Sequence, residues 1–233
     1  MKPLERYQES RGTPERRTRA VFFDVDETLV KSAPTHIEAW REAADKTNNM
    51  FPSDPPIVVD EAFILNQRGV TNEDATSRAG IAPESPRGKA LIELKKQAVV
   101  ALAVRAEWFP DAAAILPQLV ERGYIVGVVT SSQRRFIEAV FGQRPDIGSL
   151  NLLIVARESY DRGKPAPDPL LKACEMVSVA PEEAVYVGDA TVDGLCAERA
   201  GARFVLYCPG PSAPEGAERF NRIKNHLDLW RYL

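Results

Sequence analysis

Short apolar runs separated by stretches of helical spacing set the plan of this chain. Val21-Phe22-Phe23, Ile125-Val126-Gly127-Val128-Val129, Leu152-Leu153-Ile154-Val155-Ala156 and Ala184-Val185-Tyr186-Val187 are each only a few residues long. They are rich in β-branched and aromatic side chains, which predicts buried strands rather than helices. Between the first two runs, helical spacing takes over. Pro34 to Lys46 opens with proline near a helix start and repeats Ile37, Trp40 and Ala44 on one face. Glu61 to Asn66, Asn72 to Arg78 and Ser85 to Glu107 continue the pattern, broken by Pro52, Pro55, Pro56 and Gly69. In the last of these, Leu91, Leu94, Ala98 and Leu102 form a stripe. After Trp108-Phe109-Pro110 an amphipathic helix runs through Leu119 and closes at Arg122-Gly123. The Pro- and Gly-rich stretch Pro209 to Glu218 predicts a loop before a final helix ending in Leu229-Trp230. Strands alternating with helices predict an α/β fold on a parallel sheet.

The polar residues that close these runs carry the candidate chemistry. Asp24 and Asp26 follow the first run. Two carboxylates at the end of a buried strand repel each other unless a cation, a proton or strong hydrogen bonds relieve them. A divalent metal would do so, and the carboxyl edge of a parallel sheet is where such folds bind ligands. Taken alone, the pair equally fits an Asp-rich turn capping the next helix. Three further clusters change the weighting. Thr130-Ser131-Ser132 ends the second run, Gly163-Lys164-Pro165-Ala166-Pro167 follows the third, and Gly188-Asp189 with Asp193 one helical turn later ends the fourth. Individually these are a helix cap, a solvated lysine and first-turn acids. In a parallel sheet all four clusters lie on one edge and can converge on one pocket.

This ordered set resembles the haloacid dehalogenase-like superfamily over residues 20 to 207. The motifs are Asp24-Val25-Asp26-Glu27-Thr28, Val128-Val129-Thr130, Lys164 within Gly163-Lys164-Pro165-Ala166-Pro167, and Gly188-Asp189-Ala190-Thr191-Val192-Asp193. Glu27 departs from the pattern, since relatives often carry glycine there; it bears on loop conformation and substrate access rather than on the chemistry. The resemblance implies a Rossmann-like parallel sheet with helices on both faces and an inserted α-helical cap of the phosphoglycolate phosphatase and β-phosphoglucomutase type. Residues 34–106 are the expected cap, 20–33 plus 107–233 the expected core, and 1–19 a basic extension.

The activity implied is Mg²⁺-dependent hydrolysis of a small-molecule phosphomonoester through an aspartyl-phosphate. Asp24 is the expected nucleophile. Asp26 is expected to protonate the leaving alcohol and then take a proton from water. Thr130 and Ser131 would hold phosphate oxygens, and Lys164 would offset charge on Asp24 and the phosphate. Asp24, the Asp26 main-chain carbonyl and Asp189 are the expected metal ligands, with Asp193 behind them orienting Asp189 or a metal-bound water. In the cap, Arg68 is the candidate reader of the leaving group and His36 a weaker one. A phosphosugar mutase uses the same aspartates, although Thr28 stands where mutases usually carry an apolar residue. A receiver-like signalling module is about half this length and has no place for the helical insertion. A dehalogenase lacks the carboxylate that Asp26 supplies.

Composition narrows partners and compartment. A hydrophobic fraction of 44% with 27% charged residues is ordinary for a soluble globular protein. Cys174, Cys196 and Cys208 are odd in number and lack C-x-x-C spacing, which predicts reduced thiols and a cytoplasmic location. No membrane partner is expected, since no apolar stretch reaches the length of a membrane span. The extension mixes Lys2, Arg6, Arg11, Arg16, Arg17 and Arg19 with Glu5, Glu9 and Glu15, without the hydrophobic centre of a secretory signal. Tyr7 is its only aromatic residue, so no nucleic-acid partner is expected. A monomer or homodimer is expected.

Overall fold

The computed structural model describes residues 18–61, 63 and 70–233. Six strands, β1 (Ala20–Phe23), β4 (Ile125–Val129), β5 (Leu153–Val155), β6 (Ala184–Gly188), β7 (Arg203–Tyr207) and β8 (Asn221–Ile223), form one sheet in the order β5-β4-β1-β6-β7-β8. Every neighbouring pair in it runs parallel. β1 is central, with the chain leaving it first to one side and then to the other. Its carboxyl end is therefore the switch point where a crevice opens.

Period-two alternation splits the strand side chains between two apolar layers. On one face Val21, Phe23, Val128, Val187 and Val205 pack against α4 (Pro110–Glu121) and α5 (Arg134–Gly142) through Leu116, Leu119, Phe136 and Ile137. On the other, Ala20, Phe22, Tyr186 and Leu206 meet α7 (Asp168–Met176) and α8 (Thr191–Ala200) through Leu170, Ala173, Cys196 and Ala197. The turn Pro145–Gly148 forms α6. All three cysteines are free thiols.

The helical segment departs from the sheet after a two-residue strand, β2 (Val30–Lys31), and returns through β3 (Glu107–Trp108). These two pair antiparallel, so both chain crossings share one narrow ribbon. Within the insertion lie α1 (Ala33–Met50), α2 (Asn72–Arg78) and α3 (Pro86–Leu102). Trp40, Ala43, Ala44, Ile57, Phe63, Ala75 and Leu91 give it a small core of its own. The caps follow the sequence: Thr71 accepts from the Asp74 N–H, and Ser85 from the Gly88 N–H.

The sequence-based expectations need correction at both ends of this plan. The final helix is shorter and tighter than an α-helix and is preceded by a strand, Asn221–Ile223, which covers the edge of β7. A 3₁₀ helix over His226–Tyr232 follows, started by Asn225 accepting from the Leu227 N–H. The helix expected from Ser85 to Glu107 stops at Leu102 and passes through a 3₁₀ turn at Ala103–Arg105, because Glu107 and Trp108 must extend to pair with β2. The apolar run Phe204-Val205-Leu206-Tyr207 adds a strand beyond those anticipated. The helix expected over Glu61–Asn66 falls largely outside the described residues, as do Arg68 and residues 1–17. Among the described residues, no helix is long and apolar enough to cross a membrane.

Candidate active site

Parallel register fixes where the polar residues emerge. Phe23 pairs with Val128 on one side and Val187 on the other, so Asp24, Thr130 and Asp189 leave three neighbouring strands at one level. The Asp24 N–H still donates to the Val187 carbonyl (2.8 Å), and the Thr130 N–H to the Val155 carbonyl (3.0 Å). A cavity of about 150 Å³ opens above them. Asp24, Asp26, Thr130, Ser131, Lys164 and Asp189 all line it, together with Glu27, Ser32, His36, Ser132 and Lys95.

At the floor lies a buried ion cluster. Lys164 Nζ is 2.6 Å from Asp193 Oδ1 and 3.1 Å from Asp24 Oδ1. It also donates to the Tyr186 hydroxyl (3.2 Å), which reaches the Val129 carbonyl (2.8 Å). The other Asp193 oxygen accepts from the Ala190 N–H (3.0 Å). A Cβ on Gly188 would stand 2.6 Å from the Asp193 carboxylate, so this position must be glycine for Asp193 to reach the lysine. Burial opposes the charge of Lys164, but Asp193 and Asp24 outweigh it and hold the lysine protonated well above its ordinary range. Burial pushes the Asp24 carboxyl up to about 7 despite Lys164, with Asp193 and Asp26 adding repulsion. Asp189 is likewise pushed well above the usual carboxylate range, first by burial and then by Asp193 and Asp24.

The cluster therefore lacks positive charge. Asp24, Asp189 and Asp193 bring carboxylate oxygens within 4.8 Å of one another against a single lysine. Asp24 Oδ1 is buried and accepts no hydrogen bond, because Lys164 approaches it out of line. Asp193 is committed to Lys164 and the Ala190 N–H, whereas Asp24 and Asp189 line the cavity, Asp189 Oδ1 accepting a long hydrogen bond from the Thr28 hydroxyl (3.5 Å). An all-oxygen donor set with surplus negative charge fits a hard divalent cation.

Asp26 sits in a different environment. Its Oδ1 accepts from Ser32 Oγ (2.5 Å) and lies 2.9 Å from His36 Nε2, and its Oδ2 accepts from Ser132 Oγ (2.6 Å). Burial works against the charge, yet His36 and the two serines overcome it and hold the carboxyl below the usual range. Two carboxylates two residues apart thus have acidities moved in opposite directions, Asp24 by burial and Asp26 by its hydrogen-bond donors.

Glu27 explains its own departure from the motif. Its φ is 56°, the left-handed region that favours glycine. In return its carboxylate accepts from the Ser32 N–H (2.9 Å) and the Ala33 N–H (2.7 Å), capping α1. That frees the Ser32 hydroxyl for Asp26.

On the cap side, Lys95 Nζ lies 3.1 Å from His36 Nδ1, which continues the chain Asp26–His36–Lys95 from core to cap. Ile37, Trp40, Val70, Ala75 and Val99 form the apolar remainder of the wall, with Asn72. Sequence reasoning had not singled out Ser32, Ser132, Tyr186 or Lys95. Ser132 lies within the Thr130-Ser131-Ser132 cluster that ends the second run, and Lys95 interrupts the apolar stripe of α3 between Leu94 and Ala98, so the sequence carries a signal for both.

Comparisons with known proteins identify the family and the fold. A family model described as haloacid dehalogenase-like hydrolase matches residues 21–207. The chain is similar to the N-acetylmuramic acid 6-phosphate phosphatase of Pseudomonas putida, 29% identical over 204 residues, covering 85% of this chain and 86% of that protein. It is also similar to hexitol phosphatase A of Escherichia coli, 29% identical over 213 residues and 89% of each chain. Among solved structures, a hydrolase from Pseudomonas syringae superposes with a TM-score of 0.77 at 25% identity, over 92% of this chain and 97% of that one.

Proposed function

The chain belongs to the haloacid dehalogenase-like hydrolases and is a phosphatase of that family; we propose that it hydrolyses a small-molecule phosphomonoester, with Mg²⁺, through an aspartyl-phosphate on Asp24. The observation that carries this reading is the Asp24 carboxylate itself. It is buried, faces the cavity, is flanked by Lys164 at 3.1 Å, and keeps an oxygen without a hydrogen-bond donor.

In the first half, an Asp24 oxygen attacks phosphorus and the bond from phosphorus to the leaving oxygen breaks. Asp26 delivers a proton to that oxygen, and the alcohol departs. In the second half, water attacks the phosphorus, Asp26 takes its proton, and the Asp24–phosphorus bond breaks to release phosphate. The donors Ser32, Ser132 and His36 favour the charged form of Asp26, which suits the second half and works against the first, where the carboxyl must carry the proton it delivers. Thr130 and Ser131 hold phosphate oxygens at the cavity edge. Lys164 stays protonated between Asp24 and Asp193 and lowers the repulsion between nucleophile and phosphate. Mg²⁺, held by Asp24, the Asp26 main-chain carbonyl and Asp189, would neutralise charge on the phosphoryl oxygens. The segment 34–106 acts as the cap, and the substrate arrives as a small phosphate ester.

The test is phosphate release from p-nitrophenyl phosphate in Mg²⁺ by the wild type and by Asp24→Asn. Loss on the order of a thousand-fold or more is expected, with the fold intact, since one of several clustered charges is removed. Substantial residual turnover in Asp24→Asn would overturn the nucleophile assignment.

A further inference from the structure

We propose that Lys95 selects the leaving group, its ammonium binding an anionic substituent, a carboxylate or a second phosphate, on the alcohol part of the phosphomonoester. The inference rests on the phosphatase reading above and names its substrate class.

Lys95 lies at the middle of α3, on the face that buries Leu91, Ala98 and Leu102, and is only 4% exposed. An ammonium taken out of water in that position is costly unless something compensates it. Among the described residues, no carboxylate lies within ion-pair distance of it. Its neighbours are His36 Nδ1 at 3.1 Å and the face of Trp40 at 5.5 Å. Burial lowers its pKa to about 8, with Asp26 and Glu73 opposing the shift only through space, which still leaves it charged near neutrality. Lys164 lines the same cavity and is just as buried, yet it has two carboxylates in contact. Lys95 is therefore a buried cation short of a counter-ion.

The surrounding wall fits a ligand that brings one. Ile37, Trp40, Val70, Ala75 and Val99 supply apolar surface, and Asn72 a neutral amide. Of the three ammonium hydrogens, one is engaged by His36 Nδ1, and among the described residues no further acceptor is hydrogen-bonded to the other two. A neutral alcohol in this place leaves the charge unpaired. An anionic one completes the pair in a low-dielectric cavity, where a charge-assisted hydrogen bond is strongest.

Replacing Lys95 also removes the donor to His36 and so disturbs Asp26 for every ester, which makes the ratio between matched esters the informative readout. The experiment compares wild type, Lys95→Met and Lys95→Arg in Mg²⁺. One arm pairs 2-phosphoglycolate with ethyl phosphate, which share a two-carbon skeleton and differ in the carboxylate. The other pairs fructose 1,6-bisphosphate with fructose 6-phosphate. The wild type is expected to prefer the anionic member of one arm, and that arm identifies the carboxylate or the phosphate. Lys95→Met should cut this preference about ten- to a hundred-fold, chiefly through KM, and Lys95→Arg should keep part of it. No preference in either arm for the wild type, or equal losses on both members in Lys95→Met, overturns the proposal. Calorimetric binding of the same four esters to wild type and Lys95→Met measures the same selectivity without turnover. A wild type that binds the anionic ester selectively through Lys95 but releases phosphate from nothing, p-nitrophenyl phosphate included, would overturn the phosphatase reading alone.

Discussion

Two buried lysines face one cavity from opposite sides, and their surroundings differ. Lys164, at the end of the sheet, is clamped by Asp24, Asp193 and Tyr186, each of which has a further partner in the strands. Lys95, on a cap helix, touches one imidazole and one aromatic face. On the core side Lys164, Asp193 and Tyr186 are each held by two or more polar neighbours. The cap side is mostly apolar, with its few polar groups only partly used. Such a division keeps the phosphoryl chemistry fixed while the part that meets the leaving group can vary.

The sharpest way to break this contrast is to remove what balances the core. The carboxylates Asp24 and Asp189 outnumber Lys164 as a local charge, so chelation should silence the enzyme, on the order of a thousand-fold or more, by analogy with removing a group central to charge stabilisation. Mg²⁺ should restore activity. Ca²⁺ should restore it poorly, because it takes more ligands at longer distances. Full turnover in EDTA would remove the metal from the argument.

Stability should respond next. Lys164→Met leaves Asp24 and Asp193 buried without their cation, a loss worth about 3–5 kcal/mol in a buried pair. Denaturant unfolding without added metal measures it. A loss below about 1 kcal/mol would mean that the cluster carries no net charge in the folded state, through protonation of its acids.

The same contrast governs what the sequence disclosed. Asp24, Asp26, Thr130 and Asp189 were legible because they close short apolar runs, and Lys164 because its Gly163-Lys164-Pro165-Ala166-Pro167 segment follows another; parallel strands bring such ends to one edge. The partners that tune them were harder to see. Tyr186 hides inside a strand as one more aromatic residue, and its hydroxyl matters only because alternation turns it toward Lys164. Ser32 reads as the N-cap of α1, but Glu27 performs that task and releases it. The 3₁₀ helix at His226–Tyr232 and the strand before it depend on a free sheet edge, a tertiary demand that local periodicity does not encode.

Glu27 lies on the seam between the two regions and has a smaller effect to test. Glu27→Ala keeps a side chain in the left-handed region and loses the cap on Ser32 and Ala33, which should cost about 1–2 kcal/mol. Glu27→Gly loses the same cap but relieves the backbone, by about 1 kcal/mol. The glycine variant should therefore unfold at higher urea than the alanine variant. Equal midpoints would show that the turn is unstrained and that Glu27 acts only as a cap.

The smallest effect concerns the tie between the two regions. Glu73 on α2 and Arg157 after β5 approach at 3.7 Å, with side chains 35% and 27% exposed. Neither the Glu73 Oε2 nor the Arg157 Nε atom makes a hydrogen bond, so the contact is a long-range attraction and not a bidentate clamp. Arg157 is held in place by its own donation to the Tyr160 carbonyl at 3.0 Å, which keeps it available to the cap. A double-mutant cycle with Glu73→Gln and Arg157→Gln should give a coupling below about 1 kcal/mol, as for other partly exposed pairs. Raising the salt concentration should shrink it further, because such a pair is open to screening. A coupling above about 2 kcal/mol that persists in high salt would mean that the cap is locked to the core as firmly as Lys164 is locked to its carboxylates, and the contrast between a rigid catalytic edge and a loosely tied selecting wall would fall.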